Sequence, residues 1–119
     1  MRYLLSLFRD ETAMPQGDPV SQSQREEMLK PYIAFREWCE ANNVTIVAGD
    51  ALAPADTATT LHHSEGERVV TDGPLLELKE QLGGFYVIEC AHADLALSAA
   101  KQVPFLKACE LRPVIEYGV

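Results

Sequence analysis

Three short apolar runs, Leu4–Phe8, Phe85–Cys90 and Leu111–Tyr117, carry apolar residues that alternation along a strand would send to both faces of a sheet. The chain offers two helical patterns to cover them. The first opens at Ser21, where Ser23 and Glu26 have the spacing of a capping box, and continues through Met28, Tyr32, Phe35 and Cys39 on one helix face. Pro31 lies inside it and predicts a kink or two abutting segments, and Asn42-Asn43 marks its end. The second runs from Leu95 to Val103 and is stopped by Pro104. Between them Val44–Val47 is β-branched throughout and reads as a strand, with Gly49 after it marking a bulge or a close backbone approach that aims Asp50. With a first strand at Arg2–Arg9, the order is strand, helix, strand, strand, helix, strand: an α+β, ferredoxin-like βαββαβ arrangement. Two helices cover one face of such a sheet, so the other face calls for a partner surface, and a homodimer is expected.

An extra hairpin is set into this order. Thr57–His63 and Arg68–Thr71 flank Ser64-Glu65-Gly66-Glu67, a turn signal between strands polar enough to lie at an edge or to project from the body. Asp72-Gly73-Pro74 then forms a pre-shaped turn, because Pro74 fixes φ, Gly73 accepts geometry closed to other residues and Asp72 can accept from amides ahead of it. A short helix is expected over Glu77–Leu82, capped by Asp72 and ended by Gly83-Gly84. The polar stretch Asp10–Val20, with Pro15, Gly17 and Pro19, reads as a mobile or functional loop.

A length of 119 residues implies one domain with a core of its own. The net charge of −8, with Lys and Arg scattered, argues against a nucleic-acid surface. The opening Met1–Phe8 run is too short for a signal peptide or a membrane span, so no membrane is expected. Three cysteines, Cys39, Cys90 and Cys109, without Cys-x-x-Cys spacing suit reduced thiols in the cytoplasm. Phosphate-loop, dinucleotide and nucleophile-elbow motifs are missing, and no cofactor is expected. Nor is a metal: His62 and His63, adjacent on a strand, point to opposite faces, and Cys90 with His92 lacks a third ligand.

Carboxylates dominate the candidate site. Asp72, fixed by its turn, can serve as a base, bind a cation or cap the following helix. Glu77 and Glu80 are three apart on that helix while Lys79 faces elsewhere, the pattern of a solvated charged turn rather than of a binding constellation. Glu89, Arg112 and Glu116 are charges in strands and imply an ion-pair network at an interface or a small polar cavity. Asp10, Glu11 and Asp50 could meet at the mouth of such a cavity, where clustered carboxylates would raise one pKa and supply an acid or base.

The run Thr71-Asp72-Gly73-Pro74-Leu75, followed by Lys79-Glu80-Gln81-Leu82-Gly83-Gly84-Phe85, resembles the signature of YCII-related proteins, in the branch called DGPF domain proteins; Leu75 stands where that branch has Phe. The resemblance extends over Asp10-Glu11, Gly49-Asp50-Ala51-Leu52 with Pro54, Ala58-Thr59-Thr60 and Glu110-Leu111-Arg112-Pro113-Val114. It implies a ferredoxin-like fold packed face to face with a second copy as a dimeric α/β barrel. It also implies a small ligand-binding or regulatory module linked to an extracytoplasmic-function sigma factor. The alternative is a lyase or isomerase acting on a carbonyl-bearing acid, with Asp72 or Asp50 as base and Arg112 or Lys79 holding the substrate's carboxylate. Some similar enzymes are thought to use a His-Asp pair near the first strand, and this chain has no histidine before His62. The enzyme reading requires Asp72 and Arg112 in one water-accessible pocket.

Overall fold

The computed structural model describes residues 1–13, 21–104 and 107–118. The expected loop around Pro15, Gly17 and Pro19 lies outside them. In chain order the elements are β1 (Arg2–Asp10), α1 (Gln22–Ala41), β2 (Thr45–Ala51), β3 (Thr59–Ser64), β4 (Glu67–Asp72), β5 (Glu80–Glu89), α2 (Ala93–Ala100) and β6 (Ala108–Pro113). Single 3₁₀ turns occupy Glu11–Ala13 and Ala55–Thr57.

Four strands form one antiparallel sheet in the order β2-β5-β1-β6, which is the ferredoxin-like α+β fold expected from the alternation of elements. β3 and β4 make a separate two-stranded sheet, paired from Thr59↔Asp72 to Ser64↔Glu67. Its turn places Glu65 at φ 49° and Gly66 at φ 82°, the positive pair that matches the twist of a tight hairpin.

The core lies on one face. Tyr3 and Leu5 of β1 and Ile88 of β5 are fully buried against Phe35 and Cys39 of α1 and Ala96, Ala99 and Ala100 of α2. Small alanines let α2 approach the sheet closely. The even-numbered residues of β1 face the other way: Leu4 pairs with Val87 and Ser6 with Phe85, and these side chains stay only partly buried. No helix among the described residues is long and apolar enough to cross a membrane.

Several local expectations are corrected. The capping box is two residues earlier than Ser23 and Glu26: Ser21 Oγ accepts from Gln24 N and Gln24 Oε1 accepts from Ser21 N at 2.8 Å. Helix α1 is a single element through Pro31, not two. At Pro31 the helix face is exposed, so the lost hydrogen bond leaves its carbonyl to water. Only Phe35 and Cys39 of the apolar face are buried, while Met28 and Tyr32 remain exposed.

The helix expected over Glu77–Leu82 does not form, because pairing Glu80, Gln81 and Leu82 with Asp10, Arg9 and Phe8 extends the main ladder. So short a helix carries its nucleation cost with little propagation to offset it, whereas the strand gains non-local hydrogen bonds. Gln81 Nε2 ties the preceding bend by donating to Leu76 O at 2.7 Å and Leu78 O at 3.0 Å. Asp72 therefore caps no helix; it closes β4 opposite Thr59. Gly83-Gly84 is no terminator either, since both residues lie within β5 and Gly83 is the extra residue of a bulge opposite Leu7 and Phe8. Finally, β6 begins at Ala108, ahead of Leu111, and ends at Pro113, an edge-strand position where a proline is tolerated; Val114 N still donates to Arg2 O at 2.9 Å.

Candidate functional site

A cleft of about 320 Å³ opens where α1 passes over the end of the sheet. Leu29, Tyr32 and Arg36 hang from the helix, spaced to share one face, and Leu7, Arg9, Gly84 and Tyr86 come from the strands. Glycines make the room. A Cβ on Gly49 would stand 2.5 Å from Tyr86 Cδ1, so only glycine lets the Tyr86 ring lie flat on β2 and reach Phe35, 4.9 Å away between ring centroids. A Cβ on Gly83 would stand 2.7 Å from Arg9 Cδ, and its absence lets the arginine lie along the bulge.

Arg9 follows Leu7 by two and so faces α1, an uncommon place for a charge in a central strand. Its Nη2 donates to Leu52 O at 3.0 Å and stands 3.6 Å from Glu11 Oε2. Its Nε is enclosed and has no hydrogen-bond partner among the described residues. At the other end, burial holds the Tyr86 phenol above its ordinary range; neighbouring Tyr32 adds to this and Arg36 opposes it. Two phenols and a guanidinium thus stand close together at that end.

A second, more open hollow of about 780 Å³ lies beside the Asp72-Gly73-Pro74 turn, between Glu11, Asp56, Pro74, Glu77, Lys79 and Gln81. Glu11 is committed there, accepting from Ala55 N at 2.7 Å and so holding the turn at Ala55–Thr57.

The residues singled out from sequence are dispersed. Asp50 borders the α1 cleft, but it follows Gly49, which faces α1, and it pairs with Phe85, so its side chain turns to the opposite face. Asp10 accepts from Thr12 N at 2.9 Å and Thr12 Oγ1 at 2.5 Å, a local turn. Glu77 and Lys79 both line the hollow beside the turn. Asp72, exposed, ends the hairpin, whereas Arg112, on β6, donates to Glu110 Oε1 at 2.5 Å. Asp72 and Arg112 belong to different sheets, and neither lines either of these two clefts. Glu89 and Glu116 join through Arg2, at 3.5 and 3.7 Å, as an exposed ion-pair network without Arg112. No group of three metal-ligating side chains occurs among the described residues.

Arg9, Arg36 and Tyr86 were not singled out from the sequence, and Tyr32 was read only as part of the apolar face of α1. The signal was available for one of them: Arg9 falls in register with Leu5 and Leu7 on the buried side of the first strand, where a charge has no reason to be unless something meets it.

Comparison with known proteins gives a consistent picture. A model of the YCII-related domain matches residues 1–117. An uncharacterized protein of Rhizobium meliloti (strain 1021) is 37% identical over 122 residues, spanning 98% of this chain and 94% of that protein.

Proposed function

This chain belongs to the YCII-related domain family, and from that premise we propose that it is a small-molecule-binding module of the DGPF branch, acting as a cytoplasmic homodimer with its ligand in the α1 cleft. The observation that carries the reading is the convergence of two arginines and two tyrosines in a glycine-floored hollow beside an otherwise ordinary core. Concave, largely apolar sites with a few polar groups aimed inward are how proteins hold small ligands. The dimer is supported by the second sheet face, where Leu4, Phe8, Phe85 and Val87 have no helix over them among the described residues. Free thiols throughout the described residues suit a reducing compartment. The regulatory half, an output to an extracytoplasmic-function sigma factor, takes its support from the sequence resemblance, and ligand-dependent co-purification of such a factor is its measurement.

Thermal-shift screening of a metabolite library on the native chain and on Leu29→Trp tests the cleft. Leu29 is exposed on α1, so the indole should fill the hollow without disturbing the core. Compounds that raise the native Tm by several degrees should lose that effect in the variant. Undiminished stabilisation of Leu29→Trp by every such compound would place the site elsewhere.

A further inference from the structure

We infer that the α1 cleft selects small monocarboxylates with an apolar body, and that Arg9 and Arg36 are the residues that read the charge. The inference rests on the cleft reading given above and names its ligand class. The chain holds 18 Asp and Glu against 10 Lys and Arg, yet the charged side chains turned into this cleft are both arginines, because the β2–β5 register sends Asp50 to the other face. A cationic hollow in an acidic molecule concentrates anions where the rest of the surface repels them.

Arg9 is also incompletely satisfied. Nη2 has Leu52 O, while Nε is enclosed with no partner among the described residues. Nε lies against Gly83, so the guanidinium N–H groups beyond it are the ones a guest in the cleft meets, and a carboxylate is the acceptor whose geometry matches them. Glu11, 3.6 Å from Nη2, offsets part of the Arg9 charge, which suits the site to one negative charge better than to the two of a phosphate. Between the arginines the walls are Leu7, Leu29, Gly84 and the rings of Tyr32 and Tyr86, surfaces that favour an aliphatic or planar apolar body. The volume of about 320 Å³ is at the small end for ligand sites, the scale of a small acid.

The test is titration, followed by calorimetry and by NMR shifts of the Tyr32 and Tyr86 rings. The probes are hexanoate, 3-phenylpropanoate, their primary amides and inorganic phosphate. The proteins are the native chain, Arg9→Met, Arg36→Met and Leu29→Trp, each checked for a native circular dichroism spectrum. The acids should bind about tenfold or more tightly than their amides, the scale of a single charge-assisted hydrogen bond. Arg9→Met or Arg36→Met should erase that preference while leaving amide binding in place, so that loss of one variant to misfolding leaves the other to decide. Amides that bind as tightly as the acids and shift the same tyrosine rings would overturn the ligand class and leave the cleft reading intact. Tighter binding of phosphate than of either acid would overturn the single-charge match. Should no probe move those rings, with Leu29→Trp also without effect on compounds that do bind, both readings fall together.

Discussion

Cys39 shows how one side chain ties burial to pH. Its thiol is 1% exposed between α1 and the sheet, and burial, with Cys90 and Glu40 adding, pushes its pKa up to about 11. In the unfolded chain the same thiol ionises near its ordinary value of 9.0. Between those values the folded state keeps a proton that the unfolded state has lost, so stability falls as pH rises. The contribution is intact below about pH 9 and diminishes by roughly 2–3 kcal/mol on approaching pH 11. Denaturant melts of the native chain and of Cys39→Ala across that range should show a steeper alkaline decline in the native chain, since the variant starts lower but has no thiol to ionise. Parallel declines would mean that Cys39 is not the titrating group. Cys109, likewise raised by burial, contributes in the same direction and remains in both proteins.

At the scale of elements, the start of α1 turns on Ser21. Its hydroxyl and the Gln24 side chain satisfy each other's backbone N–H groups, whereas Ser23 lies two residues further in, inside the first turn, with its hydroxyl 3.2 Å from Ser21 Oγ. Ser21→Ala should therefore cost about 1 kcal/mol and Ser23→Ala much less, as measured by denaturant melts. Equal losses would shift the cap to the position that the Ser23…Glu26 spacing suggests. That misplacement shows what local reading can and cannot decide. The alternation of β-branched and helical segments was enough to give the βαββαβ order, and Ser64–Glu67 was enough to give the hairpin, because each depends on neighbours in sequence. The Glu77–Leu82 segment was not legible, because its acidic and basic residues satisfy a helix pattern while its actual partners, Asp10, Arg9 and Phe8, are about 70 positions away. The site suffered in the same way. Glu77 and Lys79 were found near a hollow, but the α1 cleft is assembled from β1, α1, β2 and β5, and no single stretch of sequence displays it.

For the whole molecule, the radius of gyration of 16.7 Å exceeds the value of about 13–14 Å that a compact domain of this length would have. The excess accords with a β3–β4 sheet that stands apart from the main ladder and with a main-sheet face, bearing Leu4, Phe85 and Val87, that no helix covers among the described residues. Sedimentation equilibrium at tens of micromolar should give a dimer, and Val87→Glu, in the middle of that sheet face, should give a folded monomer. A native chain that sediments as a monomer would leave the second face wet and remove the dimer from the proposed function.

The β3–β4 hairpin has a practical use because it shares no ladder with the main sheet. Its Glu65-Gly66 tip is exposed and satisfied by its own turn, so a tag or a fluorophore grafted there would ride outside the fold. Such a label would report rotational tumbling, and with it the association of two chains, without a reporter inside either cleft.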